Sequence, residues 1–129
     1  MKDLLSKDAE LVPLALSPVR WLFGDDSPDI RFSDRLEACL LRFSKPEAFR
    51  PKAVVVRLMR QRWGSMSPSE RLILNIRLVE APVDCIDYVI THELCHVAQP
   101  NHGASFFKLL EQVMPDWERR KGRLERTLA

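Results

Sequence analysis

All three histidines of this 129-residue chain lie within eleven residues, at positions 92, 96 and 102. If the segment around His92 and His96 is helical, its apolar residues cover most of the helix surface, which predicts a buried helix. Residues four apart lie on one face of a helix, so these two imidazoles could bind one ion together. Glu93 lies about 100° further round, close enough to reach a water on that ion.

The spacing His92-Glu93-x-x-His96 is the pattern of zinc hydrolases, in which the glutamate is the general base. Zinc activates a water and polarises a carbonyl, which makes amide hydrolysis accessible at neutral pH. Two other interpretations compete with a catalytic centre. Helix histidines that hold no metal would not explain the shared spacing, and a closed structural zinc site needs four ligands, usually including cysteine.

A catalytic zinc usually has three protein ligands, and His102 is the predicted third. Pro100 and Asn101 favour a turn after the helix, which would bring His102 back towards the same ion. Glu111 and Glu118 are alternative third ligands, because some zinc peptidases take a glutamate from a later helix.

Further residues are predicted near the site. Tyr88, one turn before His92, could donate to a developing oxyanion, although a core or supporting role fits a buried helix better. Arg62 could bind substrate or a carboxylate from the loop Arg62-Trp63-Gly64-Ser65; alternatively, and more simply, Trp63 fills the core and Arg62 pairs with a surface acid. Candidate hydrogen-bond partners for the ligand imidazoles are Asp84, Asp87, Glu111 and Asp116.

Length and composition predict one domain over residues 1–129, and motifs shared with a known family place its family-like core at about 53–117. The chain is 46% hydrophobic and 29% charged, as globular proteins are, and its apolar runs are too short to span a membrane. The apolar piece at 11–16 follows acidic residues and is interrupted by Pro13, so a signal peptide is not expected. The three cysteines are odd in number and form no C-x-x-C pair, which favours a reducing, cytoplasmic location. Each cysteine is expected to be a small buried residue.

The net charge of +2 is unevenly distributed. Residues 38–62 contain seven basic side chains and only one acid, Glu47. Such a segment is compatible with DNA association. A solvated surface of mixed charge explains it equally well, because the basic residues are scattered along the segment.

The remaining elements follow from local patterns. A loop is predicted at 18–28, then a helix capped by Ser33 or Asp34. Strands are predicted at 53–60 and 72–79, joined by a loop at 61–69. A two-stranded hairpin is the simplest inference, and a third strand whose position the sequence does not give is the alternative.

The ends of the later helices can also be predicted. Asp84 is the expected N-cap of the histidine helix, with Asp87 in its first turn, and Gln99-Pro100-Asn101 ends it. Another helix should run from about Gly103 to Pro115, followed by a short charged helix from Asp116.

A set of motifs resembles the YgjP-like and SprT-like zinc metallopeptidases, which are zincins. These families share an R-W-G-S loop, an H-E-L-x-H helix and a later N-H or H-G motif followed by phenylalanine. In this chain the matching residues, which span about 61–117, are Arg62-Trp63-Gly64-Ser65, Leu74-Asn75, Ala81-Pro82, Tyr88-Val89, His92-Glu93-Leu94-Cys95-His96, Asn101-His102 and Phe106.

The resemblance implies an α+β domain in which a small antiparallel sheet packs on the H-E-x-x-H helix, with flanking helices and zinc held by three histidines. Two features depart from the family pattern. Met66 stands where members often have cysteine, so any role of that thiol is absent here. The N-terminal half also looks shorter, which puts the substrate-binding surface in doubt.

The resulting hypothesis is a zinc metallopeptidase that acts on polypeptides. The rRNA-maturation endonucleases share the histidine spacing but have glycine where this chain has Glu93, so the glutamate favours peptide hydrolysis. SprT-like relatives act on proteins attached to DNA. A zinc-binding module without turnover is the third alternative, and the intact Glu93 argues against it.

Overall fold

The computed structural model describes residues 28–128. The apolar piece at 11–16 and nearly all of the predicted loop at 18–28 lie outside these residues. The described chain forms four α-helices, two 3-10 helices and three strands, in the order α1 (Pro28–Leu40), η1 (Pro46–Phe49), β1 (Ala53–Arg57), β2 (Gly64–Met66), β3 (Arg71–Asn75), η2 (Ile76–Glu80), α2 (Val83–Ala98), α3 (Ala104–Val113) and α4 (Trp117–Leu128).

The sheet has the strand order β1-β3-β2, with β3 in the centre. Strand β1 pairs with β3 in parallel, from Ala53↔Arg71 to Arg57↔Asn75. Strand β2 pairs with β3 antiparallel, from Gly64↔Leu74 to Met66↔Leu72. The domain is therefore α+β as predicted, but its sheet is mixed.

The predicted two-stranded antiparallel hairpin is wrong, because the segment 61–69 contains β2 and is not a single loop. In sequence, β2 comes between β1 and β3 and runs in the opposite direction, so β1 and β3 point the same way and pair directly in the sheet. The strands are also shorter than predicted. The second predicted strand corresponds to β3 and ends at Asn75. The Asn75 side chain accepts a hydrogen bond from the backbone N–H of Arg77 at 3.1 Å and so caps the start of η2.

The true hairpin connects β2 to β3 through residues 67–70. The Ser67 hydroxyl accepts a hydrogen bond from the Arg71 N–H at 3.1 Å, and the Ser67 carbonyl accepts one from the Glu70 N–H at 2.9 Å. Glu70 has a positive φ of 63°, the left-handed conformation that a tight turn requires. The turn thus fixes the register of β2 against β3.

Alternation along the strands gives the sheet two apolar faces. Val56, Leu72 and Leu74 join the main core, which also contains buried residues of all four helices. Val55 and Ile73 point the other way and pack with Met59 in a smaller cluster. The main core therefore lies between the sheet and the helices.

Helix α2 is the central element, in contact with α1, α3, α4 and β2. Its residues from Cys85 to Ile90 are all buried, as the all-round apolar pattern predicts. The predicted N-cap is wrong: Pro82 occupies that position, and Asp84 lies inside the first turn. Asp84 instead accepts a hydrogen bond from Arg123 at 2.8 Å and so fastens α4 to α2.

Neither Ser33 nor Asp34 caps the start of helix α1, because both lie within the helix and are exposed there. The helix buries Phe32, Leu36 and Leu40, which are four residues apart. Helices α3 and α4 lie where the sequence predicts them.

The described helices include none with the length and apolar character needed to cross a membrane.

A bidentate ion pair joins α1 to α2. Arg35 donates to the two carboxylate oxygens of Asp87 at 2.8 and 2.7 Å. The Asp87 side chain is only 6% exposed, while that of Arg35 is 31% exposed. Asp87 was predicted as a hydrogen-bond partner of the histidines. Both of its carboxylate oxygens instead bind Arg35 and so connect α1 to α2.

Replacing this carboxylate should destabilise the fold. We expect Asp87→Asn to lower the free energy of unfolding by about 2 kcal/mol, because it removes the buried carboxylate that accepts both hydrogen bonds of the half-buried Arg35 guanidinium. Urea denaturation followed by circular dichroism measures the change. Glu37→Gln is the control, since Glu37 pairs with Arg50 on the surface and should change stability little. Equal losses in the two variants would contradict the assignment.

Candidate active site

The three histidines meet at one point on the edge of α2. His92 and His96 project from one face of α2, and His102 lies in the short connection between α2 and α3. The Nε2 atom of His102 is 3.1 Å from Nε2 of His92 and 3.0 Å from Nε2 of His96. The turn predicted at Pro100 and Asn101 thus brings the third imidazole to the other two.

These distances fit a shared zinc ion. Nitrogen ligands about 2.0–2.1 Å from a tetrahedral zinc are about 3.3 Å from one another. Within the described residues, the set of side chains placed to hold one metal ion consists of His92, His96 and His102. Three nitrogen donors leave a fourth position for water or substrate, as in catalytic and not structural zinc sites. The alternative ligand Glu111 accepts a hydrogen bond from the Trp117 indole at 2.9 Å.

Hydrogen bonds on the other ring nitrogens help to orient the imidazoles. Nδ1 of His96 lies 2.9 Å from the Gln99 carbonyl, so it carries the proton and leaves Nε2 free to bind a metal. Nδ1 of His92 lies 3.5 Å from the Tyr88 hydroxyl. The four acids predicted as partners of the imidazoles bind other side chains among the described residues. Asp87 binds Arg35, Asp84 binds Arg123, Asp116 binds Arg119 and Arg120, and Glu111 binds Trp117.

Burial favours the neutral, metal-binding form of the His92 and His96 imidazoles. It lowers the pKa of His92 to about 3, with further lowering from His96, His102 and the charge of Lys121. Burial also lowers the pKa of His96. The pKa of the Tyr88 phenol is raised to about 12, again mainly by burial, so the hydroxyl keeps its proton.

Glu93 follows His92 on α2 and lines the same cavity as the three histidines. Its side chain is buried, and this burial raises the pKa of its carboxyl group to about 8, although the positive charge of Arg62 acts in the opposite direction. A carboxyl group with a pKa near neutrality is well matched to proton transfer at neutral pH.

The cavity has a volume of about 730 Å³ and lies between α2 and the chain leading into β2. Its walls are residues 61–68 on one side and the α2 face that carries Tyr88, Val89, His92, Glu93 and His96 on the other. His102 and Pro100 also line it. A peptide segment entering this cavity would contact both β2 and the histidines.

Gly64 allows β2 to approach α2 closely. A β-carbon at this position would lie 3.0 Å from Cγ1 of Val89 and 3.2 Å from Cγ of Glu93, both closer than ordinary contact. The contact holds the strand against the helix beside the carboxylate.

Asn75 holds the loop before β2 in place. Its buried side-chain amide donates to the carbonyl groups of Met59 and Arg62, each at 2.8 Å, and its backbone N–H donates to the Trp63 carbonyl at 2.9 Å. The chemistry of a single asparagine in the sequence does not predict this role. The Leu74-Asn75 motif of the family resemblance was its one indication.

The structure resolves the two interpretations of the R-W-G-S loop into one arrangement. Trp63 packs against the core, with the Arg77 guanidinium 5.3 Å above its ring. Arg62 lines the cavity and donates a long hydrogen bond to the Ser65 hydroxyl at 3.4 Å. Thus Trp63 is a packing residue, while Arg62 belongs to the cleft.

A small mixed sheet, packed on a helix that carries two histidines and a glutamate, is the arrangement that the resemblance to zinc metallopeptidases implies. The model of the YgjP-like metallopeptidase domain matches residues 30–127, and the chain belongs to this family. It is accordingly a metal-dependent peptidase, and the predicted YgjP-like resemblance is confirmed.

Two solved structures share the fold. One is the crystal structure of the metallopeptidase zymogen of Pyrococcus abyssi abylysin, with a TM-score of 0.63, 21% identity, and coverage of 75% of this chain and 94% of that chain. The other is the metallopeptidase zymogen of Methanocaldococcus jannaschii jannalysin, with a TM-score of 0.59, 21% identity, and coverage of 76% and 90%. No curated protein matches the chain.

The third ligand can be tested by metal content. We expect His102→Ala to lower zinc occupancy at least tenfold at limiting zinc, because two imidazoles on one helix face bind far more weakly than three. Elemental analysis after dialysis against buffered zinc measures it. Glu118→Gln is the control and also removes the other alternative ligand. If the Glu118 variant loses zinc and the His102 variant keeps it, Glu118 and not His102 is the third ligand.

The close approach at Gly64 can be tested by adding one methyl group. Gly64→Ala should lower peptidase kcat/KM at least tenfold, because β2 must move away from Val89 and the Glu93 side chain. Gly122→Ala is the matched control, since a β-carbon there meets only the flexible end of Arg126 at 3.1 Å. An unchanged kcat/KM in Gly64→Ala would show that the strand position does not matter for activity.

Proposed function

We propose that this protein is a zinc metallopeptidase that hydrolyses peptide bonds, with His92, His96 and His102 as zinc ligands and Glu93 as general base. The observation that carries the proposal is the convergence of three Nε2 atoms beside a buried carboxyl group in one cavity. Family membership supports the peptidase class and a polypeptide substrate.

Zinc bound there would supply a Lewis acid that lowers the pKa of a coordinated water to about 7 and polarises the substrate carbonyl. The carboxylate of Glu93 accepts the proton of the attacking water and passes it to the nitrogen of the departing amine. Its burial keeps bulk water away from this proton and strengthens the interaction with nearby charges.

Two other predicted residues have roles in this mechanism. Tyr88 supports the orientation of His92 through its hydroxyl group, since that contact of 3.5 Å is on the ring nitrogen that does not face the other histidines. Arg62 lies in the wall of the cavity and offers its guanidinium to a carbonyl or carboxylate of the substrate.

The basic segment at 38–62 gives little support to DNA association. Arg42 donates to the Val113 carbonyl, Arg50 pairs with Glu37 and Glu47, Arg57 is buried, and Arg62 lines the cavity. The exposed basic side chains of the segment are Lys45, Lys52 and Arg60. A polypeptide is therefore the substrate we propose.

A reducing, cytoplasmic environment is proposed for the protein. Cys39, Cys85 and Cys95 are free and buried. Burial raises the pKa of Cys39 to about 11 and that of Cys95 to about 12, so neither is a reactive thiolate near neutral pH.

The general base is tested by Glu93→Gln in zinc-loaded protein. We expect kcat for an unfolded protein substrate, such as reduced and carboxymethylated casein, to fall about 10²–10⁴-fold while zinc content stays unchanged. Mass spectrometry of new N-termini identifies the bonds cut.

Glu80→Gln, an exposed glutamate of η2, is the control and should keep full activity. Casein cleavage at the normal rate by zinc-loaded Glu93→Gln would refute the assignment. Hydrolysis of RNA but not of casein by the wild type would refute the peptide substrate.

A further inference from the structure

One phenylalanine contacts all three histidines at the site. The ring centroid of Phe106 is 4.9 Å from that of His92, 4.5 Å from that of His96 and 4.8 Å from that of His102. The ring is stacked on His96, with 28° between the planes, and meets His92 and His102 edge-on at 65° and 83°. Phe106 is completely buried.

The three imidazoles differ in what else holds them. His92 and His96 are attached to the rigid α2, and His96 also bonds the Gln99 carbonyl. His102 is exposed and lies outside the helices, in the connection that precedes α3. Its ring has aromatic contacts with Phe106 and, at 6.3 Å, with Phe107.

The position of Phe106 follows from the start of α3. The helix begins at Ala104, and the Phe107 N–H donates to the Gly103 carbonyl at 3.2 Å in its first turn. This turn directs Phe106 into the core beneath the histidines, while Phe107 remains partly exposed. The ring thereby contacts all three imidazoles at once, one by stacking and two edge-on, and can hold them at fixed angles to one another.

We propose that Phe106 is a positioning residue that sets the mutual angles of the His92, His96 and His102 imidazoles before a metal binds. The inference rests on the proposed zinc centre and adds to it the source of its preorganisation. Preorganised ligands need not be ordered during binding, so affinity for zinc should depend on this ring.

The test replaces the ring by an apolar side chain without a flat face. For Phe106→Leu, we expect the Kd for zinc to rise about 10–100-fold, as for other groups that orient metal ligands. Competition with a chromophoric chelator measures Kd. Visible absorption of the Co²⁺-substituted protein gives a second readout, since four-coordinate Co²⁺ absorbs intensely and a distorted or more highly coordinated ion absorbs less.

Phe32→Leu is the matched control. Phe32 is also completely buried in the same core, but on α1 and not against the histidines. Both variants should lose thermal stability, whereas zinc affinity and the Co²⁺ spectrum should change in Phe106→Leu alone. If Phe106→Leu does not fold, Phe106→Met replaces it, because methionine is flexible enough to fill the space without a flat ring.

The outcomes separate this inference from the proposed function. Tight zinc binding by the wild type, with the same Kd and Co²⁺ spectrum in the Phe106 variant and in Phe32→Leu, would overturn the role of Phe106 and leave the zinc centre standing. Failure of the wild type to bind zinc would overturn both. A selective loss in the Phe106 variant supports the inference.

Discussion

The site depends on the burial of helix α2. This helix contacts α1, α3, α4 and β2, so its position is fixed from several directions. His92, Glu93 and His96 occupy a five-residue stretch of this helix. Their relative positions are therefore as rigid as the core in which the helix is packed. The contact at Gly64 completes the arrangement by bringing a strand against the same helix beside Glu93.

The helical part of the fold can be predicted from the sequence, because periodic burial leaves a regular pattern. Helices α3 and α4 lie close to their predicted bounds, and α2 ends as expected at Gln99. The sheet is different. Strand β2 has three residues, Gly64-Ser65-Met66, whose small and polar composition is that of a loop. Its strand conformation comes from pairing with β3, a contact that local propensity does not contain.

The proximity of His92 and His96 could also be predicted from the sequence, since a spacing of four on a helix brings two side chains to one face. The groups around them could not. Asp84 and Asp87 are acids close to the histidines in sequence, yet each faces away and pairs with an arginine of another helix. Asn75 is distant in sequence and determines the loop that forms the opposite wall. Such roles depend on which elements pack together, and a single sequence does not specify this.

The buried carboxyl group of Glu93 links stability to function. Removing it from water raises its pKa to about 8, which is a cost to the folded state whenever the group is ionised. Arg62 is the cation that the chain itself supplies to offset part of that cost, and it does so from the wall of the cavity. A fully paired carboxylate would be cheaper to bury but less able to accept a proton. The site therefore keeps Glu93 close to a positive charge and within reach of the cavity, a compromise that suits its proposed role as a proton acceptor better than a structural ion pair.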